Sequence, residues 1–264
     1  MATTEIVSES RFHQDIMDLL PKVKAREVIL EKDKEEILRL RQAAYLHEGA
    51  LRARSLELFK DSSDSSESGQ TFGLYIEGRL ASSIRLHLAT PADPTCPAMS
   101  VFPDRVRPML DAGMTVLDPT RFVVDAEFVR QYRKLPYVTI RLAWMACVHF
   151  SAAILLATAG ARQQSFYRGL FGHHVVSAAR PYPPLAEPVS LMALDFQHER
   201  ERVMRRYPFL RSTEGERNAI FGLADSSGLR GSSKPGESAS STFPFEPGRR
   251  AARPVASRPH PAVA

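Results

Sequence analysis

The stretch TFGLYIEGRLASSIRLHLA, residues 71–89, decides the fold. It holds two runs rich in apolar residues, Thr71 to Ile76 and Leu80 to Ala89. The runs meet at Glu77-Gly78, a two-residue connection typical of a tight hairpin turn. We therefore predict two antiparallel strands here. A serine- and acid-rich stretch, residues 61–69, comes immediately before them and is predicted to be a loop.

Helical and strand-like segments alternate on both sides of this hairpin. Helical spacing predicts helices over residues 12–20, 32–46, 103–112, 137–150, 161–170 and 197–207. Strand-like runs cover residues 26–30, 116–124, 153–159 and 189–196. This alternation, together with one hairpin, predicts a mixed α/β sheet with helices on both faces. The sequence has no internal repeat, which excludes solenoids and propellers.

Residues 142–161 contain no Asp, Glu, Lys or Arg over twenty positions, which is the length of a membrane span. The segment is rich in alanine, however, and His149 lies near its middle. A buried helix followed by a central strand explains this composition better. We therefore expect no transmembrane segment.

The chain has 264 residues, of which 44% are hydrophobic and 25% charged, enough to form a sizeable core. Its net charge is +5, but six basic and three acidic residues lie from Ala224 onward, so residues 1–223 carry only +2. A folded part so close to neutral has no global footprint for nucleic acid. The two cysteines, Cys96 and Cys147, imply neither a disulfide framework nor a thiolate zinc cluster.

The two ends of the chain differ in composition from the middle. The first twenty residues lack the apolar core of a secretory signal, so we expect a cytoplasmic protein. From Ala224 the sequence holds eight serines, six prolines and four glycines, and we predict a disordered tail. The expected organisation is a helical segment over 1–24, a domain over 25–223 and the tail over 224–264.

Two patterns before the hairpin carry polar groups suited to a site. Arg41 and Tyr45 are four residues apart on a predicted helix, so they share one face. Arg41 suits a substrate carboxylate and Tyr45 suits stacking or hydrogen bonding to a ligand; a snorkelling Arg and a packed Tyr are the alternative. Asp61 and Asp64 follow in the loop, where they suit arginine pairing, a metal or simple solvation.

Two further patterns follow the hairpin. Asp118, Arg121 and Phe122 open a predicted central strand, and Arg85 lies on the preceding strand. Buried charges are costly unless paired or used, so this is either a polar site or a structural ion-pair cluster. Tyr167, in SFYRGLFG at 165–172, either faces a cleft or packs in the core. The isolated pair His173-His174 completes no metal set, and we expect no metal.

Taken in order, these patterns resemble a known family. Arg41-x-x-x-Tyr45, Asp61-x-x-Asp64, Ser83-Ile-Arg85-Leu and Asp118-x-x-Arg121-Phe122 resemble the acyl-homoserine lactone autoinducer synthases. IRLAWMA at 140–146 and SFYRGLFG resemble their relatives, the long-chain N-acyl amino acid synthases. The resemblance spans residues 26–196 and implies the GNAT-like N-acyltransferase fold. It also implies transfer of a fatty acyl group from acyl carrier protein to the amine of an amino acid.

Departures from the family pattern narrow this choice. The autoinducer synthases have a tryptophan shortly after the helix aromatic, whereas Leu51 and its neighbours are not aromatic and the only tryptophan is Trp144. Their motif has Glu where this chain has Asp118. Acetyl-CoA enzymes of this fold hold the pyrophosphate on a glycine-rich loop, and residues 114–159 contain no glycine. The carrier-protein donor is therefore favoured over acetyl-CoA.

The resemblance and the chemistry together assign roles to these residues. Asp118 orients or deprotonates the amine, backbone N–H groups near Phe122 polarise the thioester carbonyl, and Arg121 completes the catalytic set. The substrate-binding set is Arg41, Tyr45, Arg85 and Tyr167, with Arg41 on the amino acid carboxylate. Asp61 and Asp64 join Arg85 and Arg121 in a structural charge cluster. No bound cofactor is expected, because phosphopantetheine carries the acyl group.

A local basic run and two other classes of protein complete the expectations. Arg130, Arg133 and Lys134 are predicted to form a patch for the acidic carrier protein, with a solvated loop as the alternative.

A homoserine lactone synthase with a diverged pocket stays open as an alternative class of enzyme, and binding of S-adenosylmethionine distinguishes it. A non-catalytic binding module of the same fold also stays open, and absence of thioester turnover with every donor distinguishes it.

Overall fold

A computed structural model describes residues 3–49, 69–182 and 185–222. Asp61, Asp64, their loop and the tail from Ala224 lie outside the described residues. Within the described ranges, seven strands form one sheet: β1 (Val23–Glu27), β2 (Gly69–Ile76), β3 (Arg79–Ala89), β4 (Val116–Val124), β5 (Ile154–Ala159), β6 (His174–Arg180) and β7 (Val189–Asp195). Their order across the sheet is β1-β2-β3-β4-β5-β7-β6.

Nine α-helices are described around the sheet. They are α1 (Thr3–Leu19), α2 (Glu31–His47), α3 (Pro97–Val101), α4 (Pro103–Asp111), α5 (Ala126–Gln131), α6 (Leu135–His149), α7 (Gln164–Leu170), α8 (Phe196–Arg206) and α9 (Glu214–Phe221). The predicted mixed α/β architecture with helices on both faces is confirmed.

The hairpin of β2 and β3 forms as predicted. Ile76 pairs with Arg79, which leaves only Glu77 and Gly78 in the turn. Both have positive φ, 51° and 78°, the backbone that lets a two-residue turn follow the twist of its strands. The remaining neighbours in the sheet are also antiparallel, except β4 and β5, which are parallel.

Two irregularities in β4 shape the middle of the sheet. Ser83 pairs with Val123 and Arg85 with Thr120, so β4 uses one more residue than β3 over this interval. The extra residue is Arg121, whose φ of 52° marks a β-bulge. The parallel ladder to β5 contains only the pairs of Val116 and Leu117, so the two strands stop pairing beyond them. The sheet therefore opens beside the bulge.

Apolar side chains are buried on both faces of the sheet. The main core lies on the face covered by α1, α6, α8 and α9, and Trp144 is at its centre, stacked on Phe171 and edge-on to Phe196. A second core packs α3 and α4 against the other face through Phe102 and Val106. Helix α2 covers the same face further along, where Tyr45 packs near Val123.

Several sequence predictions of single elements need correction. The first strand is Val23–Glu27 rather than residues 26–30; Ile29 and Leu30 are exposed and lie in the connection to α2. Strand β6 and helices α3 and α9 were not predicted, and part of the run that holds Arg130 is helix α5 rather than loop. The uncharged segment is α6 followed by β5, as predicted. No helix among the described residues is long and apolar enough to cross a membrane.

Candidate active site

A network of buried polar side chains lies between α2 and strands β2 and β3. The hydroxyl of Thr71 accepts hydrogen bonds from Arg85 Nη1 at 3.2 Å and from Arg41 Nη2 at 3.5 Å. Arg85 Nε also donates to His87 Nε2 at 3.0 Å. Arg41 is only 1% exposed, so its side chain does not snorkel to solvent, whereas Tyr45 is packed as that alternative expected. Residues far apart in the chain are thus joined into one network.

His87 and Thr71 belong to this network although no sequence motif predicts them as site residues. The available signal was the two-residue period of β3, which places Arg85 and His87 on the same face. Because Nε2 of His87 accepts from a guanidinium, the neutral ring carries its proton on Nδ1. Gly69 makes room for this ring, since a Cβ there would overlap the imidazole.

Tyr45 connects α2 to the bulge in β4. The i, i+4 spacing puts Arg41 and Tyr45 on the buried face of α2, as predicted. The Tyr45 hydroxyl accepts a hydrogen bond from Arg121 Nη1 at 3.4 Å. The bulge turns Arg121 toward the α2 side of the sheet. Helix α2 therefore brings together the network on Thr71 and the contact at the bulge.

Asp118 lies on the same face as His87, its partner in the β3–β4 register, and is fully buried. Its Oδ2 accepts a hydrogen bond from the backbone N–H of Ala98 in α3 at 2.8 Å. Among the described residues, Oδ1 has no hydrogen-bond partner. Burial raises the pKa of Asp118 to about 7, and the N–H of Ala98 opposes that rise.

Among the described residues, Asp118 forms no ion pair with Arg121 or Arg85. The nearby thiol of Cys96 has a raised pKa because it is buried and because Asp118 adds negative charge. A buried carboxyl with a pKa near neutrality and one unoccupied oxygen is suited to exchange a proton.

The side chains of Phe122 and Tyr167 lie apart from this network. The Phe122 side chain belongs to the main core on the opposite face, so only its backbone is placed at the bulge. Tyr167 packs in α7 against Phe166 and His173, and burial raises the pKa of its phenol. Among the described residues, no group of three or more metal-binding side chains is present.

The basic run before α6 is divided between two environments. Arg130 and Arg133 are exposed, and Arg130 Nε donates to the carbonyl of Ala126 at 3.1 Å. Lys134 instead contacts α1: its Nζ lies 4.3 Å from the ring centre of Phe12 and 3.9 Å from a carboxylate oxygen of Asp15. Two of the three predicted contact residues are therefore open to solvent.

Comparison with known proteins identifies the class. The structure of FeeM, an N-acyl amino acid synthase from uncultured soil microbes, superposes with a TM-score of 0.58 at 16% identity, over 70% of this chain and 96% of that chain. A CoA-dependent acyl-homoserine lactone synthase, BjaI, has a TM-score of 0.48 at 16% identity, over 70% and 90%. An acyl-CoA N-acyltransferase from Pseudomonas aeruginosa has a TM-score of 0.44 at 18% identity, over 65% and 97%.

The fold is thus the GNAT-like acyltransferase fold that the sequence predicts. The family profile of the N-acyl amino acid synthase FeeM matches residues 36–195, which is more than half of the chain. The chain belongs to this family and is an acyltransferase. No curated protein matches it in sequence.

Proposed function

We propose that this protein transfers a long-chain fatty acyl group from the thioester of acyl carrier protein to the amine of an amino acid. One observation carries the proposal: a buried carboxyl and a network of buried guanidinium groups lie on the same side of the sheet. The carboxyl is that of Asp118, whose pKa is near neutrality. A base for the amine and cations for a carboxylate are the two features that an amino acid acceptor needs.

The acceptor half of the reaction rests on Arg41 and Asp118. A guanidinium presents paired N–H donors that match a carboxylate, and Arg41 lies on the α2 face that covers the site. The Oδ1 atom of Asp118 has no hydrogen-bond partner among the described residues, so it is our candidate to receive the amine proton, directly or through a bridging water. Tyr45 and Arg85 complete the binding surface in this proposal, and Asp61 and Asp64 complete the charge cluster.

The donor half rests on the open segment of the sheet beside the bulge. Backbone N–H groups near Phe122 polarise the thioester carbonyl in this proposal, with Arg121 at the same bend. The amine attacks the carbonyl carbon, a C–N bond forms, the C–S bond breaks and the pantetheine sulfur leaves as a thiolate. Asp118 takes the proton that the amine gives up. Tyr167, which packs in the main core, is retained as a proposed substrate-binding residue.

The start of α6 supports a carrier protein, rather than coenzyme A, as the donor. Enzymes that bind a pyrophosphate at a helix start use free backbone N–H groups there. In α6 the amide of Leu135 donates to the carbonyl of Tyr132 at 2.9 Å. The amides of Tyr137 and Val138 donate to the carbonyl of Lys134 at 3.0 and 3.3 Å, and the remaining residue of this turn is a proline. The first turn therefore offers no free amide to a pyrophosphate.

The exposed arginines of the preceding segment suit an acidic carrier protein. Arg130 and Arg133 form no ion pair with any described residue, whereas Lys134 contacts Phe12 and Asp15 of α1. Opposite charge on a partner accelerates its association, and salt weakens that effect. We place the reaction in the cytoplasm, where acyl carrier protein is loaded.

Mass spectrometry of organic extracts from a bacterial host that overproduces the protein tests the proposal. We expect N-acyl amino acids with long chains in the extract, and far less of them in a matched host that produces the Asp118→Asn variant. Acyl-homoserine lactones in place of N-acyl amino acids would instead show that S-adenosylmethionine is the acceptor. Identical extracts from both hosts would contradict the proposal.

A further inference from the structure

A groove of about 320 Å³ opens between the end of α6, helix α8 and the segment that leads into α9. Its apolar lining consists of Val148, Met204 and Leu210, and its polar lining includes Arg200, Arg211 and Arg217. These elements belong to the side of the sheet that holds the main core, whereas α2 and the network on Thr71 lie on the other side. The groove is therefore separate from the candidate active site.

Positive charge in the groove exceeds the negative charge available to neutralise it. Glu201 lies beside Arg200, with Oε1 at 3.4 Å from Nε. Arg217 donates to the carbonyl and hydroxyl oxygens of Ser212, at 2.8 and 3.2 Å, and both of these acceptors are neutral. Within the described ranges, neither Arg217 nor Arg211 is within ion-pair distance of a carboxylate. Two guanidinium groups thus line the groove without a carboxylate partner in the part of the chain that the structure describes.

The wall that carries these two arginines is held in place by an ion pair between buried Arg141 and partly exposed Glu216. Arg141 of α6 donates to the carbonyls of Phe209 and Arg211, each at 2.6 Å, and to Glu216 of α9 at 2.6 and 3.0 Å. Glu216 is thereby occupied and does not neutralise the groove. These hydrogen bonds hold the backbone at Arg211 and the start of α9 in place. The backbone that carries the two guanidinium groups is therefore ordered.

We infer that this groove binds an anionic amphiphile: one carboxylate head held by Arg211 and Arg217, with an alkyl chain on Val148, Met204 and Leu210. Arginine donors match a carboxylate, and burial of an alkyl chain on the apolar lining adds to the affinity. The volume is within the range of small-ligand pockets and too small for a partner helix. Free fatty acids and N-acyl amino acids share this chemistry. The inference does not depend on the proposed reaction, because binding here needs no catalysis.

Methionine-methyl NMR of the full chain tests the site directly, because Met204 lines it. Met204→Leu assigns the Met204 signal, and decanoate and N-decanoylglycine are the probes. We expect a saturable shift of that signal with at least one probe. The probe that binds more tightly shows whether the ligand is a free fatty acid or an N-acyl amino acid. Acetate, which lacks the chain, and decyltrimethylammonium, which has the opposite charge, should leave the signal unchanged.

The Arg211→Ala/Arg217→Ala variant should bind the better probe at least about tenfold more weakly, because both charged donors are removed. Arg39→Ala, an exposed arginine on α2, is the matched control and should bind like the wild type. Raising the salt concentration should weaken binding to the wild type, which tests the charge without any substitution. A Met204 signal that neither probe moves, an equal response to decyltrimethylammonium, or undiminished affinity in the double variant would overturn the inference.

Discussion

Asp118→Asn separates a catalytic carboxyl from a structural one. The folded-state pKa of Asp118 is about 7 against an ordinary value of 3.8, so the folded protein keeps this proton where the unfolded chain has lost it. The contribution of Asp118 to stability therefore falls as the pH rises from about 4 to about 7, and is flat above that. Asparagine does not ionise and lacks this dependence.

The size of the effect follows from the same values. Between about pH 5.5 and about pH 8, the wild type should lose about 2 kcal/mol of unfolding free energy that the variant does not lose. The unfolding free energy of the variant relative to that of the wild type should therefore rise by that amount between the two pH values. Any cost of the new amide that does not depend on pH cancels from this comparison. Urea unfolding at both pH values measures it.

The rate of acyl transfer should fall in the variant, although its relative stability rises with pH. If Asp118 takes the amine proton, the single-turnover rate at about pH 8 should fall by roughly two to four powers of ten in the variant. The wild-type rate should rise with pH through an apparent pKa near 7. Folded variant that reacts at the normal rate would end the catalytic assignment. A stability difference that moves toward the wild type as the pH rises would show that Asp118 is ionised and paired in the folded protein.

Three further predictions test the remaining assignments. Arg41→Ala should raise the Kd of the amino acid at least about tenfold and leave donor binding nearly unchanged, with Arg39→Ala on the same helix as the control; equal weakening of both substrates would remove Arg41 as the carboxylate ligand. Arg130→Ala/Arg133→Ala should raise the KM for acyl carrier protein by a factor that shrinks as salt is added, and a KM independent of both charge and salt would exclude this patch. A chain of residues 1–223 should keep the Tm and activity of the full chain, and a large loss of either would show that the tail docks on the domain.

The elements that depend on local pattern could be predicted from the sequence. The hairpin turn at Glu77-Gly78 and the buried face of α2 follow from residue type and spacing alone. Strand β6 was missed because it is an edge strand with exposed side chains and two register shifts, so it carries no regular alternation. Helix α9 is short, and its buried Phe221 is positioned by a ring contact with Phe72 at 5.5 Å, far away in the chain.

The sequence indicates several candidate side chains of the site but not the hydrogen bonds between them. Arg41 and Arg85 were identified, yet their shared partner Thr71 depends on the register of β2 against β3. The hydrogen bond that Asp118 accepts from the backbone N–H of Ala98 is one that no side-chain motif indicates. Lys134 was assigned to a surface patch because its contacts with α1 require the folded chain.

Competition between donors is the measurement that tests the central claim most directly. Purified protein is given one amino acid mixture together with long-chain acyl carrier protein and acetyl-CoA, each with a different isotope in the acyl group, and the N-acyl products are identified by mass. We predict long-chain N-acyl amino acid derived from the carrier protein, released with one equivalent of free thiol, and little product from acetyl-CoA. Product that carries only the acetyl label, or no N-acyl product from either donor, would contradict the account.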